Sequence, residues 1–156
     1  PFGGEYIETE VQKSIMEPFY SNERWQSETV FIKFLENPRN GISWWFKNGD
    51  RDATFFAVPY KTGKDWSPFY VDFIVMMKDR RIGFLDPHGI HLADFGAKSD
   101  GLRAYIADMK KKGHKVFGGI VANTDPRNYT GQWMIHEGSG KDAREEKKSQ
   151  RVRKGN

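Results

Sequence analysis

No cysteine occurs among the 156 residues. That excludes a disulfide framework and any zinc site built on thiolates, and it fits a reducing cytoplasm. No apolar run approaches the length of a membrane span, and the opening PFGGEYIETE lacks the basic and apolar segments of a secretory signal. Contact with a membrane is therefore not expected. Acids are in deficit, with 21 Asp and Glu against 25 Lys and Arg for a net charge of +4, a balance that suits a polyanionic partner. A phosphate loop is missing too. GSGKD at Gly138–Asp142 resembles part of one, but GxxxxGK[ST] needs glycine where Ile135 stands and a hydroxyl where Asp142 stands. Any ATP-driven motor must lie elsewhere. With no initiator methionine before Pro1, the chain reads as one domain cut from a longer protein, large enough for its own core.

What is present centres on Phe69 to Gly89, FYVDFIVMMKDRRIGFLDPHG. The pattern predicts two apolar strands, Phe69 to Lys78 and Arg81 to Asp86, joined by a polar turn. On the first, Asp72, Ile74 and Met76 share one face, and Val71, Phe73 and Val75 the other; both are apolar, so the strand should be central and covered on both sides. A two-residue turn would put Asp72 and Asp86 on opposite faces. A three-residue loop of Asp79, Arg80 and Arg81, or a bulge at Gly83, would bring Asp72, Asp86 and His88 to one face over a floor of Ile74, Met76, Ile82 and Phe84. Two neighbouring carboxylates repel unless a cation joins them, and a hard divalent metal is the natural occupant. On spacing alone, two acids with thirteen residues between them read first as solvated groups at a sheet margin.

The flanking segments change that order. SETVFIKFLE, ISWWFKNGD and FFAVPY upstream, with DGLRAYI and VFGGIVANTD downstream, resemble the PD-(D/E)xK nuclease domains at the C-terminal end of type III restriction enzymes and related helicases, over about Glu28 to Trp133. The resemblance implies a restriction-endonuclease-like α/β fold, a mixed central sheet flanked by helices. It implies a metal-dependent DNA endonuclease domain of a helicase-linked restriction or defence protein, using Mg2+ or Mn2+, with DNA and an upstream helicase domain of the same longer chain as partners. Asp72 and Asp86 then match the metal-binding acids, the backbone carbonyl of Pro87 a further ligand, and Glu28 the acid that supports the metal through water. Glu28 also heads an inward stripe with Phe31, Ile32 and Leu35. A simpler reading has Glu28 favouring the positive end of a helix capped by Ser27.

The departure from the pattern is His88, where such nucleases carry a lysine. An imidazole titrates near pH ~6.5, so it can accept the attacking water's proton or bind metal, but it is no fixed cation. Beside two anions its pKa should rise; with metal bound it should be neutral and act as the base. Lys98, opening the next helix, is the alternative cation. A third possibility is a catalytically inactive nuclease fold retained as a DNA-binding or docking module. His88 and His91 form H-x-x-H, too few ligands for zinc. His114 and His136 are expected at the surface.

Three segments follow: a lead-in over 1–20, with Ile15, Met16, Phe19 and Tyr20 against the body; a nuclease-like domain over 21–137; and a tail over 138–156 with seven Lys and Arg against three acids. Helices are expected from Ser27 to Glu36 and from Lys98 to Lys111, the latter with Leu102, Tyr105, Ile106 and Met109 inward. Further strands are expected near Ile42 to Phe46, Thr54 to Tyr60, Val116 to Asn123 and Gln132 to Ile135. Lys47, Asn48, Trp66 and Tyr70 are the candidate nucleic-acid contacts. Trp44 and Trp45 adjoin in a strand, so at least one must face the core.

Overall fold

Period-3.6 apolar spacing sets the first helix in the computed structural model, which describes residues 7–8, 10–16, 19–21, 26–49, 54–87 and 95–136. Strands β1 (Ile7–Glu8) and β2 (Tyr20–Ser21) form a short antiparallel pair before it. Helix α1 (Gln26–Glu36) buries Phe31, Ile32 and Leu35 as the stripe requires, and Ser27 lies inside its first turn rather than capping it. Its last carbonyls are satisfied from outside, a common need at a helix C-terminus. The Asn40 side-chain amide donates to Phe34 and Leu35, and the Lys13 ammonium donates to Leu35 and Asn37.

Strand β3 (Ile42–Lys47) follows, then a hairpin of β4 (Val58–Thr62) and β5 (Asp65–Phe69). Strands β6 (Phe73–Met77) and β7 (Ile82–Pro87), helix α2 (Phe95–Lys111), β8 (Val116–Asn123) and β9 (Trp133–His136) complete the order. The main sheet runs β3-β6-β7-β8-β9. Among the described strands of this sheet β7 and β8 are the parallel pair, and α2 is the crossover that such a pair needs. The result is a mixed α/β fold with apolar side chains on both sheet faces. Phe31, Leu35, Trp45, Phe73, Val75 and Leu85 pack on the α1 side. Val58, Phe69, Val71, Phe84, Leu102 and Ile106 pack on the α2 side, with Tyr105 and Met109 partly buried beside them.

Two expectations fail in one region. The long strand from Phe69 does not exist, because β5 ends at Phe69 and pairs with β4 across a two-residue turn. Gly63, with φ of 66°, supplies the left-handed first position such a turn favours. The stretch expected as a strand from Thr54 to Tyr60 therefore belongs partly to this separate hairpin. Val71 was also expected to share a face with Phe73 and Val75. It packs on the α2 side while they pack on the α1 side, so the chain breaks its alternation at Val71–Asp72.

The β6–β7 connection has the required parity. Phe73 pairs with Leu85, Ile74 with Phe84, Val75 with Gly83 and Met76 with Ile82, without a bulge at Gly83. The loop is Lys78, Asp79 and Arg80, one residue earlier than expected. The Arg80 N–H donates to the Met77 carbonyl at 2.9 Å, and Arg80 adopts a φ of 69°. Gly83 is needed for packing: a Cβ there would lie 2.5 Å from the Phe117 ring and 2.6 Å from Val75.

The segment before α1 is part of the same body. The Trp45 N–H donates to Lys13 O at 2.9 Å and the Ile15 N–H to Trp45 O at 3.0 Å, while Phe19 meets the Trp45 ring edge-on at 5.0 Å. Ile15 and Met16, expected to pack, are exposed.

Candidate active site

One step past the Phe73–Leu85 pair, the register of β6 and β7 brings Asp72 beside Asp86, and the Asp72 N–H donates to Asp86 Oδ2 at 3.0 Å. Asp86 is 3% exposed. Burial first, and then the charge of Asp72, push its carboxyl well above the usual carboxylate range; the Asp72 N–H, Lys47 and Lys98 pull the other way. Asp72 sits at the break before β6, outside the regular pleat, and its Oδ1 accepts from Lys47 Nζ at 3.2 Å. The same ammonium lies 3.6 Å from Glu28 Oε1, with both side chains about one quarter exposed. Burial alone would lower the Lys47 pKa, but Asp72, Glu28 and Asp86 together outweigh it and hold the ammonium above its ordinary value.

Lys47 thus joins Glu28 to Asp72, and the Asp72 N–H joins Asp86 to them. Lys98 stands in the first turn of α2, not at its start. Its Nζ lies over the Phe69 ring at 5.4 Å and the Tyr60 ring at 5.9 Å, and its charge reaches Asp86. A lysine opposes the positive end of a helix, so the neighbouring carboxylate helps to offset that position. Pro87 ends β7 beside Asp86, buried and paired with Val121. His88, His91 and the segment 88–94 lie outside the described residues, as does 137–156 with its GSGKD and basic tail.

The expected nucleic-acid contacts separate. Asn48 is a structural brace: 4% exposed, its Nδ2 donates to Phe56 O at 2.7 Å and its Oδ1 accepts the Phe56 N–H at 3.2 Å. It has no surface to offer a ligand. Lys47 faces carboxylates. Trp66 is 63% exposed on β5, with Lys61 Nζ 5.0 Å over its ring, and Tyr70 is half-buried just after that strand. Trp45 is fully buried and Trp44 half-buried. His114 is exposed, but His136 is half-buried against Phe95 at 5.9 Å, a correction to its expected surface position.

Among the described residues, no group of three or more His, Cys, Asp or Glu side chains can hold a metal ion. Two carboxylates nevertheless fit Mg2+, which keeps much of its water and binds through one or two carboxylates together with substrate phosphates. Burial, and then the charge of Asp72, raise Asp86, and a bound cation would offset both.

A family model described as the YagJ family matches residues 7–131, from β1 through the turn before β9. The chain belongs to the YagJ family. Every described residue of the cluster lies inside that match. The searches of curated proteins and of solved structures gave no match. Among the described residues, no helix of this YagJ-family chain is long and apolar enough to cross a membrane.

Proposed function

We propose that the domain is a metal-dependent phosphodiester hydrolase acting on DNA, with the nuclease fold and site that its sequence resembles. One observation carries the reading: Asp72 and Asp86 stand side by side, joined by the Asp72 N–H, and burial together with the charge of Asp72 pushes Asp86 toward its protonated form. Support comes also from the order of elements. A helix bearing Glu28, a strand, the separate β4–β5 hairpin, a hairpin bearing both acids, a second helix and a strand parallel to the Asp86 strand follow in the order of the segments that carry the resemblance.

Asp72 and Asp86 would hold Mg2+ or Mn2+, with the carbonyl of Pro87 as a further ligand. When bound, the metal would lower the pKa of water and offset charge developing on the phosphate. The chain's own residues do the rest. Asp72 and Asp86 would hold the cation, and Glu28 fixes Lys47 at the edge of the site. His88 is the base that the sequence supplies: it would accept the water's proton as the water oxygen bonds to phosphorus, the phosphorus–sugar oxygen bond breaks and the leaving sugar oxygen takes a proton from solvent. Lys98 is the alternative cation on the Asp86 side. The resemblance adds an upstream helicase motor, and the lack of cysteine suits a cytoplasmic setting.

The test is cleavage of single- and double-stranded DNA with Mg2+ or Mn2+ by the wild type and by Asp72→Ala. Cleavage lost in the variant, with an unchanged melting curve, is the expected result. Cleavage that persists would move the chemistry elsewhere. Inactivity of every form, joined to DNA binding that tolerates Asp72→Ala, would favour a non-catalytic docking module, the alternative that His88 in place of lysine raises.

A further inference from the structure

Lys47 closes β3, and its ladder partner Phe73 opens β6 next to Asp72. That register, set by two strands far apart in sequence, delivers the ammonium 5.2 Å over the Phe73 ring, within 3.2 Å of Asp72 Oδ1 and 3.6 Å of Glu28 Oε1. The ammonium therefore engages a carboxylate oxygen that a divalent cation would need. Two positive charges cannot share that oxygen at this distance without repulsion. Glu28 and the Phe73 ring also hold the lysine, so it can yield Asp72 without leaving the site.

We propose that Lys47 acts on this site in two opposite ways: it competes with the metal for Asp72, and it is the fixed cation that balances the phosphate once the metal is bound. The inference rests on the hydrolase reading and extends it. It assigns to β3 the permanent positive charge that position 88 does not carry in this chain, with Lys47 as a positioning residue rather than a base. The consequence is a split that a purely structural ion pair would not produce. Removing the ammonium should tighten metal binding and slow turnover together.

The experiment titrates Mn2+ calorimetrically into the wild type, Lys47→Met, Lys47→Arg and Lys98→Met, checks each by thermal melting, and measures DNA cleavage at saturating Mn2+. Lys47→Met should bind Mn2+ about tenfold more tightly, the order expected from removing one partly screened like charge. It should cleave on the order of a hundredfold more slowly, as for loss of one preorganised cationic contact. Lys47→Arg keeps the charge and should hold affinity near the wild type with partial cleavage, which also covers the case in which Lys47→Met does not fold. Lys98→Met should leave Asp72 engaged by Lys47 and bring no tenfold gain. Mn2+ bound by Lys47→Met but not by the wild type would support the competition. Equal or weaker affinity in folded Lys47→Met, or wild-type cleavage by it, would overturn this inference alone. No Mn2+ bound by any form would overturn the hydrolase reading itself.

Discussion

Helix α1 carries a carboxylate near each end, and the two are treated in opposite ways. At its C-terminal end Glu36 collects three donors: the Gln12 N–H at 2.9 Å, the Lys13 N–H at 3.0 Å and the Trp45 indole at 2.7 Å. This acid ties the segment before the helix to the helix and to β3. Near the N-terminal end Glu28 shares one ammonium with Asp72, and Asp72 in turn adjoins Asp86. An acid that serves the fold gathers hydrogen-bond donors until its charge is spent. An acid cluster that keeps a buried member well above its ordinary pKa sacrifices stability, which is common where function is retained.

The contrast breaks most directly at Asp72. Asp72→Ala should lower metal-dependent cleavage by on the order of 10^3-fold, since metal activation is worth several kcal/mol of barrier. Its melting curve should stay close to the wild type, because Asp72 is only half-buried. Glu36→Ala should do the reverse. It orphans the indole N–H of fully buried Trp45 and two backbone N–H groups, so stability should fall by about 2–3 kcal/mol by denaturant titration. Cleavage well below the lowered melting temperature should persist; loss of cleavage there would make both ends of α1 functional.

Asp86→Asn sharpens the same contrast with a smaller effect. The folded state raises the Asp86 pKa, so its stabilising share is present at acid pH and is lost as pH rises through that raised value. The amide keeps an oxygen for the Asp72 N–H and carries no charge. Without metal, Asp86→Asn should be about 1 kcal/mol more stable than the wild type at neutral pH, with the gap closing toward acid pH, and it should bind no Mn2+. A variant less stable than the wild type at neutral pH would mean that Asp86 is a structural acid like Glu36.

How far the sequence discloses all this depends on the range of the interaction that fixes each feature. The α1 stripe of Phe31, Ile32 and Leu35 and the inward Leu102 and Ile106 of α2 are local periodicities, and they read directly. The parity of the acid hairpin is also local, although placing the loop one residue late would have set Asp72 opposite His88 instead of Asp86. The turn at Gly63 fell between two expected strands, Thr54 to Tyr60 and Phe69 to Lys78, in a stretch that was given no element. The change of face at Val71–Asp72 has no periodic signature, because apolar residues continue through it while switching from one core to the other. Lys47 was the least legible. Its place beside Asp72 follows from the β3–β6 register, a pairing across the inserted hairpin, and nothing in ISWWFK announces it. Asn48, one residue on, looked equally exposed and is spent on Phe56.

The smallest effect lies at the hairpin. Trp66→Ala should leave stability within about 0.5 kcal/mol, since its ring is largely exposed, while affinity for unpaired DNA should fall about tenfold if bases stack on it. Unchanged affinity would remove the hairpin from the DNA path and leave the carboxylate cluster as the remaining contact.

The account turns on Asp72 and Asp86 sharing a cation, and calorimetric titration of Mn2+ into the wild type and Asp72→Ala at one pH tests it most directly. Saturable binding by the wild type, lost in a folded Asp72→Ala, is the predicted result. Identical isotherms for the two proteins, or no binding by either, would contradict it.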